Sequence, residues 1–494
     1  MNSSADRYEY STLEVDTEAN TRYQNQYTDS QLPEVNQSAT EHLNYPEVVG
    51  HYAPKADIDR TLPEAVQVPE TKEVVGIPPA EPRIWGMKRK IFWAVVIGAV
   101  VVIVGIVVGV TAGVVTSKKS DSSSDSSSDD AAGSTTNPSA VYASTSLATA
   151  NFTDEFGYEN YLVAYQLNSK ALYLSAWNSS FKQWVVSPIV DGKTNNLGLD
   201  SVRKGTALSL DIFEYDTSSR DIHVYWQLPD SGGLATIKAL TYNANKGVTT
   251  QASIPTANWV DSAAGNSYIS TAGSGLASYG KQCDLCNQYT YLYWQTATGI
   301  RVASYQNSSV GWDSDNSVIQ VDLASPAENS SLVQAHAAAD TVNGHRSMNI
   351  FYRATTNALS QIVNGDNRYV GHYLGRDIGA GTTIAAFSTG FNETSTNWTE
   401  PLGFQVLTTD PTANDGVQLT YYKGSTWTAS SDAVTSLSDC TALNTMTANH
   451  AGRVYCLVAN GTDADIMEYA WQGSPNDTST YLNYNKIGAV GISV

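Results

Sequence analysis

Short runs in which apolar and polar residues alternate fill the chain from Val141 onward. They are rich in Tyr, Trp, Val and Thr and are separated by Gly, Asn and Asp, a pattern typical of β-strands joined by tight turns. No amphipathic helix interrupts them. One strand core recurs six times, at intervals of 48 to 68 residues. The six cores are LVAYQ at Leu162, HVYWQ at His223, YLYWQ at Tyr291, NIFYR at Asn349, QVLTT at Gln405 and RVYCL at Arg453.

Each core lies between two further strand-like runs. In the last unit, for example, TALNT precedes RVYCL and DIMEYAW follows it. Six similar units of three or four short strands predict an all-β fold, a six-bladed β-propeller over residues 141–494. A two-sheet sandwich is the alternative all-β architecture, but it does not require six similar units.

The order of strands within a unit resembles that of the fungal fucose-specific lectins. The shared order is a small-residue strand, then an (R)VYYQ-like core, then a G-I-x-E-Y-like strand, then a Trp. The resemblance implies a six-bladed propeller that binds fucose between adjacent blades. It also implies that an arginine from the second strand and a glutamate or glutamine from the third bind the sugar hydroxyls, while aromatic rings cover its apolar side.

One unit carries the complete pair of polar residues that this resemblance implies. The arginine position holds Leu162, His223, Tyr291, Asn349, Gln405 and Arg453, in chain order. The acid position holds Leu174, Ala239, Val302, Gln361, Leu419 and Glu468. We therefore take Arg453 and Glu468 as the candidate sugar-binding pair, with Asn349 and Gln361 as a weaker polar remnant. An ordinary cross-strand ion pair is the alternative.

The aromatic residues of the candidate site follow from ring closure. In a closed propeller the last blade meets the first, so Trp177 and Trp184 are expected beside Arg453 and Glu468. Trp471 and Tyr469, which lie close to Glu468 in sequence, are the alternatives.

The segment GRVYCLVANGTDADIMEYAW also predicts how the pair is placed. Asn460-Gly461 is a strong hairpin signal, because both residues tolerate positive φ. A two-residue turn centred there places Arg453 directly opposite Glu468, on one face of the sheet. A longer turn over Thr462–Asp465 remains the alternative.

A long apolar segment precedes the strands. Residues 91–115, IFWAVVIGAVVVIVGIVVGVTAGVV, contain no charge and predict one transmembrane helix, which with its basic flank covers residues 87–116. A buried core helix is the alternative. Four basic residues precede the span and two follow it, which places the N-terminus in the cytoplasm and the C-terminal domain outside the cell. Gly105, Gly109 and Gly113 share one helix face and can support a homodimer.

The remaining segments are polar. Residues 1–86 show no sustained hydrophobic period and predict a disordered cytoplasmic tail. The motifs YPEVVGHYAP and PPAEPRIWGMKRKIFW resemble the juxtamembrane segment of single-pass fungal surface proteins. Residues 117–140 form a Ser/Asp-rich linker. Eight N-x-S/T acceptors follow the span: Asn151, Asn178, Asn307, Asn329, Asn392, Asn397, Asn460 and Asn476.

All four cysteines follow the predicted span. Outside the cell they are expected to be oxidised, and proximity predicts the pairs Cys440–Cys456, on what should be neighbouring strands, and Cys283–Cys286. Half of a zinc site or a redox motif is the alternative for Cys283 and Cys286. The chain lacks a second CxxC motif or a histidine partner at metal-binding spacing.

Charge and missing motifs exclude several function classes. The 494-residue chain has a net charge of −20, which argues against nucleic acid as a partner. It has no GxSxG, HExxH or P-loop motif, so we expect no enzymatic activity, no metal and no cofactor. Two hypotheses remain: a membrane-anchored protein that binds fucosylated or related glycans, and a surface interaction or sensor protein whose propeller has lost sugar binding.

Overall fold

The computed structural model describes residues 83–84, 87–88 and 137–492, with gaps at 194–196, 217, 245–252, 263–267, 284, 306–310, 314–317, 341–344, 366–367, 393–401 and 411–415. The chain divides into two compact units, Met1–Asp125 and Ser126–Val494. In the first unit, β1 (Arg83–Ile84) pairs with β2 (Met87–Lys88). The predicted membrane span, residues 91–115, lies outside the described residues. Within the described part of the chain, no helix is long and apolar enough to cross a membrane.

Six antiparallel sheets make up the second unit, and their strand order confirms the predicted propeller. Blade I contains β3 (Ala148–Thr153), β4 (Glu159–Gln166), β5 (Leu172–Asn178) and β6 (Trp184–Val190). Blade II contains β7 (Leu208–Asp216), β8 (Ser219–Gln227) and β9 (Leu234–Ala244), with β10 (Val260–Asp261) and β11 (Ile269–Thr271) both paired to β9. Blade III contains β12 (Leu276–Tyr279), β13 (Thr290–Thr296) and β14 (Gly299–Tyr305).

The last three blades have four strands each. Blade IV contains β15 (Val333–Asp340), β16 (His345–Arg353), β17 (Ala358–Gly365) and β18 (Arg368–Asp377). Blade V contains β19 (Thr383–Thr389), β20 (Gly403–Thr409), β21 (Val417–Lys423) and β22 (Thr426–Val434). Blade VI contains β23 (Met446–Ala448), β24 (Arg453–Asn460), β25 (Asp463–Trp471) and β26 (Tyr484–Ala489). The described 3₁₀ helices are Leu199–Ser201, Thr256–Asn258, Thr435–Thr441 and Thr478–Thr480.

The first strands of consecutive blades contact one another around a central axis, and β23 of blade VI contacts β3 of blade I. The segment after β26 strengthens this closure. The Ser175 hydroxyl of blade I donates a hydrogen bond to the Gly491 carbonyl at 2.6 Å. A Cβ on Gly491 would lie 2.7 Å from Cβ of Trp184, so only glycine permits this approach. The C-terminal segment therefore adds a direct contact between blades VI and I.

The glutamine that ends three of the repeated cores has a structural role. Gln166 accepts a hydrogen bond from the Gly205 amide at 2.7 Å and donates to the Arg203 carbonyl at 2.9 Å. Gln227 makes the same pair of bonds with Gly273 and Thr271 one blade later. Each buried glutamine thus holds the loop that enters the next blade, which explains why this residue recurs in the sequence.

Both predicted disulfides form, Cys283–Cys286 and Cys440–Cys456. The expectation that Cys440 lies on a strand is wrong: it lies in the 3₁₀ helix Thr435–Thr441 that joins blades V and VI. Cys456 lies on β24, three residues beyond Arg453, and strand alternation places the two on opposite faces. The disulfide therefore braces this strand from the side away from Arg453. The acceptors Asn151 and Asn178 are buried, so the predicted sequons are not all surface sites.

Candidate functional site

The hairpin that carries Arg453 and Glu468 turns one residue later than the sequence predicts. Asn460 pairs with Asp463, Tyr455 with Glu468, and Arg453 with Ala470, so the turn is centred on Gly461-Thr462. Gly461 alone adopts a positive φ, 63°, as suits a turn with glycine at its first central position. The predicted direct pairing of Arg453 with Glu468 is therefore wrong. A shift of two positions preserves the side-chain face, so the two residues are diagonal neighbours.

Arg453 and Glu468 form an ion pair in this diagonal arrangement, with 3.3 Å between Nη1 and Oε1. The Glu468 residue is 5% exposed, whereas the Arg453 side chain is 21% exposed. Burial raises the pKa of Glu468, and the positive charge of Arg453 and a hydrogen bond from Tyr455 offset part of that rise. The pair is thus a largely desolvated carboxylate beside a guanidinium that reaches the surface.

Blade VI supplies a third polar group on the same face. The buried Tyr455 hydroxyl donates a hydrogen bond to Oε1 of Glu468 at 3.3 Å. Trp184 of blade I packs edge-on against the Tyr455 ring, with centroids 6.3 Å apart and planes at 83°. The Glu468 carboxylate therefore accepts a hydrogen bond from its own blade, and an aromatic residue of the next blade packs against the donor.

Tyr161 of blade I, which sequence reasoning missed, lies directly against the arginine. The Arg453 guanidinium carbon is 4.7 Å from the Tyr161 ring centroid, and Nη2 donates to the Tyr161 hydroxyl at 3.3 Å. The hydroxyl in turn donates to Oε2 of Glu159 at 2.5 Å. Because Tyr161 immediately precedes the LVAYQ core, its place in the repeat was the available signal.

Trp177 completes the blade I side of the site. It is the cross-strand partner of both Tyr161 and Trp184. Its ring stacks on Tyr161 with centroids 5.3 Å apart and planes at 18°. Arg453, Tyr161 and Trp177 therefore form a continuous stack that spans the interface between blades VI and I.

The structure brings together four residues that the sequence nominates: Arg453, Glu468, Trp177 and Trp184. The alternatives Trp471 and Tyr469 lie elsewhere. Trp471 contacts Phe387 of blade V, with centroids 5.7 Å apart, and the Tyr469 hydroxyl donates to Asp439 at 3.3 Å. Both belong to the core between blades V and VI.

The same two positions can be located in every other blade from the strand registers. Leu162 and Leu174 are fully buried in an apolar cluster that also contains Trp259 of blade II. Asn349 and Gln361 are buried and joined by a hydrogen bond from the Gln361 amide to the Asn349 carbonyl oxygen. Arg453 with Glu468 is the one arginine–carboxylate pair at these positions.

Among the residues that the structure describes, no group of three or more His, Cys, Asp or Glu side chains is placed to hold a metal ion. The side chains present at the interface can form hydrogen bonds through a carboxylate and a guanidinium and can contact a ligand through aromatic rings.

Comparisons with known proteins bear on the fold. No protein-family model matches the chain, and no curated protein matches it in sequence. Among solved structures, a mutant of the Aleuria aurantia lectin in complex with alpha-methyl-L-fucoside is similar, with 14% identity over 72% of this chain and 98% of the lectin chain and a TM-score of 0.50.

Two further structures are similar in the same way. AofleA from Arthrobotrys oligospora shares 12% identity over 71% of this chain and 88% of its own, with a TM-score of 0.49. An alpha-L-arabinanase from Penicillium chrysogenum, complexed with arabinobiose, shares 11% identity over 72% of this chain and 96% of its own, with a TM-score of 0.37. At these identities the likeness of the lectin shows the six-bladed fold and does not assign an activity.

Proposed function

We propose that the propeller binds a neutral sugar, fucose or a related glycan, at one site between blades VI and I. The observation that carries this proposal is the Arg453–Glu468 ion pair, flanked by Trp177 and Trp184 from the neighbouring blade. The Aleuria aurantia lectin of the same fold was solved with a fucoside bound. That likeness supports the ligand class without identifying the sugar.

The pair suits a sugar because each group can hydrogen-bond adjacent hydroxyls. The guanidinium of Arg453 offers several donors in one plane, and the Glu468 carboxylate accepts. The Tyr161 ring and hydroxyl contact the Arg453 guanidinium, with the hydroxyl on Nη2. A bound sugar would replace that contact by its own hydroxyl and place C–H groups against the half-buried rings of Trp177 and Trp184.

A glycan array tests this proposal. Wild-type protein should bind at least one fucosylated or related neutral glycan, and Arg453→Ala and Glu468→Ala variants that remain folded should lose the signal. The matched controls are Asn349→Ala and Gln361→Ala, which alter the same two positions in blade IV and should leave the signal intact. Binding that survives both changes in blade VI would move the site elsewhere.

We further propose that residues 91–115 anchor the chain in a membrane with the propeller outside the cell. The uncharged length of the segment and the four basic residues before it support this topology. Protease added to intact cells should then remove the propeller. A C-terminal tag that stays fully protected in correctly localised protein would refute the topology.

A second candidate function is recognition of a protein partner by a propeller that does not bind sugars. The observation in its favour is that five of the six interfaces lack the arginine–carboxylate pair, and that Tyr161 covers part of Arg453. A folded wild-type protein that binds no glycan on the array would favour this candidate.

A further inference from the structure

A cavity of about 350 Å³ adjoins the candidate sugar site on the side of the propeller axis. Blade I contributes Phe152, Glu159 and Tyr161 to its wall, blade VI contributes His450, and the segment after β19 of blade V contributes Phe391. We call it the axial pocket. Its volume falls in the roughly 300–1,000 Å³ range of small-molecule sites.

The axial pocket and the Arg453–Glu468 pair share a wall. Tyr161 lines the pocket, while its ring and hydroxyl contact Arg453. A tight turn leads from one to the other: the Gly452 amide donates to the Asn449 carbonyl, and the Asn449 amide donates to the Arg453 carbonyl, both at 3.0 Å. His450 lies within this turn and lines the pocket. It is only three residues before Arg453 in the sequence.

Packed rings hold the axial side of the pocket in place. Phe391 stacks on His336 of blade IV with centroids 4.9 Å apart, and it lies 4.9 Å from the ring of His450. The two histidine rings are 4.2 Å apart. Phe391 and His450 are thus fixed by a cluster that joins three blades, so the pocket is formed before any ligand arrives.

The polar groups of the pocket are suited to a neutral, hydroxyl-rich ligand. Among the described residues that line it there is no lysine or arginine and one carboxylate, Glu159, so this part of the wall disfavours anionic ligands. Nδ1 of His450 is buried and so does not open into the pocket. Burial lowers the pKa of His450 to about 4, so at neutral pH the ring is uncharged and adds no positive charge to the wall.

We infer that the axial pocket holds a second sugar ring, so that the ligand is a neutral oligosaccharide with its terminal residue at Arg453 and Glu468. This inference rests on the proposed function. The second ring would lie against Phe391 and His450 and donate hydrogen bonds to Glu159. Tyr161, between the two compartments, would contact both rings.

Calorimetric titration of the full chain with two kinds of ligand tests the inference. One ligand is alpha-methyl-L-fucoside; the others are neutral disaccharides in which L-fucose is α-linked to galactose or to N-acetylglucosamine. We expect at least one disaccharide to bind about tenfold more tightly than the monosaccharide, a difference of about 1.4 kcal/mol. Phe391→Ala and His450→Ala should abolish that gain while the monosaccharide affinity stays unchanged.

Two further variants keep the outcome interpretable. Phe391→Leu retains most of the apolar volume, so it can replace Phe391→Ala if that variant does not fold. It removes the aromatic ring and should still weaken disaccharide binding. Phe181→Ala removes an exposed aromatic ring of blade I outside the pocket and should change neither affinity. Equal affinities for monosaccharide and disaccharides, unaffected by Phe391→Leu, would overturn the pocket and leave the sugar site standing. Absence of binding to any of these saccharides would overturn both.

Discussion

Two interfaces of the propeller, between blades VI and I and between blades IV and V, have the same framework and different chemistry. Six positions of the first correspond to six of the second by strand register. The corresponding pairs are Arg453 and Asn349, Glu468 and Gln361, Tyr455 and Phe351, Tyr161 and Phe404, Trp177 and Tyr422, and Trp184 and Trp427.

One aromatic contact is nearly the same in the two interfaces. Trp184 meets Tyr455 edge-on with centroids 6.3 Å apart, and Trp427 meets Phe351 edge-on at 5.9 Å. Blade packing therefore sets the framework wherever aromatic residues occupy these positions. The framework alone does not make a site.

The polar pair marks the difference between the two interfaces. Asn349 and Gln361 are 1% and 3% exposed and satisfy each other, whereas Arg453 reaches solvent through a side chain that is 21% exposed. Asn349 and Gln361 are neutral, buried and hydrogen-bonded to each other, so they act as part of the blade core. A charged pair with one open end retains donors that a ligand can use. Four predictions test this contrast, ordered from the largest expected effect.

Blades IV and VI carry the two contrasting polar pairs. They meet at the axis through His336 of blade IV and His450 of blade VI. Burial lowers the pKa of both, that of His450 from 6.5 to about 4. Between about pH 6.5 and pH 4 these histidines bind protons in the unfolded chain and stay neutral in the folded chain. The free energy of unfolding should therefore fall as pH drops from about 6.5 to about 4. For His450 this amounts to about 3 kcal/mol.

Urea unfolding at neutral pH and near pH 4 measures this loss, with His450→Phe as the comparison. The variant should lose distinctly less stability than wild type over the same interval. An identical loss in both proteins would show that His450 does not stay neutral in the fold.

The disulfide Cys440–Cys456 braces blade VI, and the described residues of blade IV contain no cysteine. Its 16-residue separation predicts a contribution of roughly 3 kcal/mol in the chain-entropy model. Replacing both cysteines by alanine should lower the free energy of unfolding by that amount and leave sugar affinity unchanged, because Cys456 faces away from Arg453. The Cys283–Cys286 pair, only three residues apart, should contribute about half as much.

Peptide mapping without reduction checks the pairing first, and chemical denaturation then gives the energies. Recovery of Cys440 and Cys456 as free thiols, or a loss of sugar binding in the folded double variant, would contradict this separation of bracing from binding.

Asn349→Ala should leave the buried amide of Gln361 without its partner in blade IV. The expected cost is about 1–3 kcal/mol of stability, the range for an unsatisfied buried polar group. Thermal unfolding and the glycan array together test the contrast, since the variant should be less stable and should bind as wild type does. Reduced binding would mean that blade IV also carries a site.

Tyr161→Phe makes the first interface resemble the second, where Phe404 holds the corresponding position. The change keeps the stack on Trp177 and Arg453 and removes the hydroxyl bonds to Arg453 and Glu159. We expect stability to fall by about 0.5–1.5 kcal/mol and sugar binding to persist. Binding abolished by this single oxygen would make the Tyr161 hydroxyl, rather than the ion pair, the principal contact.

The repeat made most of the fold predictable, because each blade buries the same strand positions and so preserves the same pattern of residues. The candidate pair Arg453 and Glu468 followed from the family resemblance carried across that repetition, and the error in the hairpin register did not change it. The error arose because Asn460-Gly461 and Gly461-Thr462 are both acceptable turns, and only packing of the flanking strands distinguishes them. A shift of two positions in the pairing cannot change a side-chain face, so the choice of this candidate pair was insensitive to the error.

Contacts between blades were harder to predict. Tyr161 packs against Arg453, 292 residues away in sequence, and no local pattern reports such a distance. The role of the recurring glutamines was not predicted from the sequence, because their bonds run to the loop that enters the next blade. Cys440 and Cys456 were expected on neighbouring strands, yet a disulfide constrains only the geometry of its two ends and not the secondary structure of either cysteine.

The most direct test of the central claim, one sugar site per propeller at Arg453 and Glu468, is a calorimetric titration of fucose that yields both stoichiometry and affinity. Wild-type protein should bind one sugar per chain, and Arg453→Ala and Glu468→Ala should each weaken binding by roughly ten- to hundredfold, the equivalent of about 1.5–3 kcal/mol for a hydrogen bond to a charged group. A stoichiometry above one, or affinity unchanged in both folded variants, would contradict the claim.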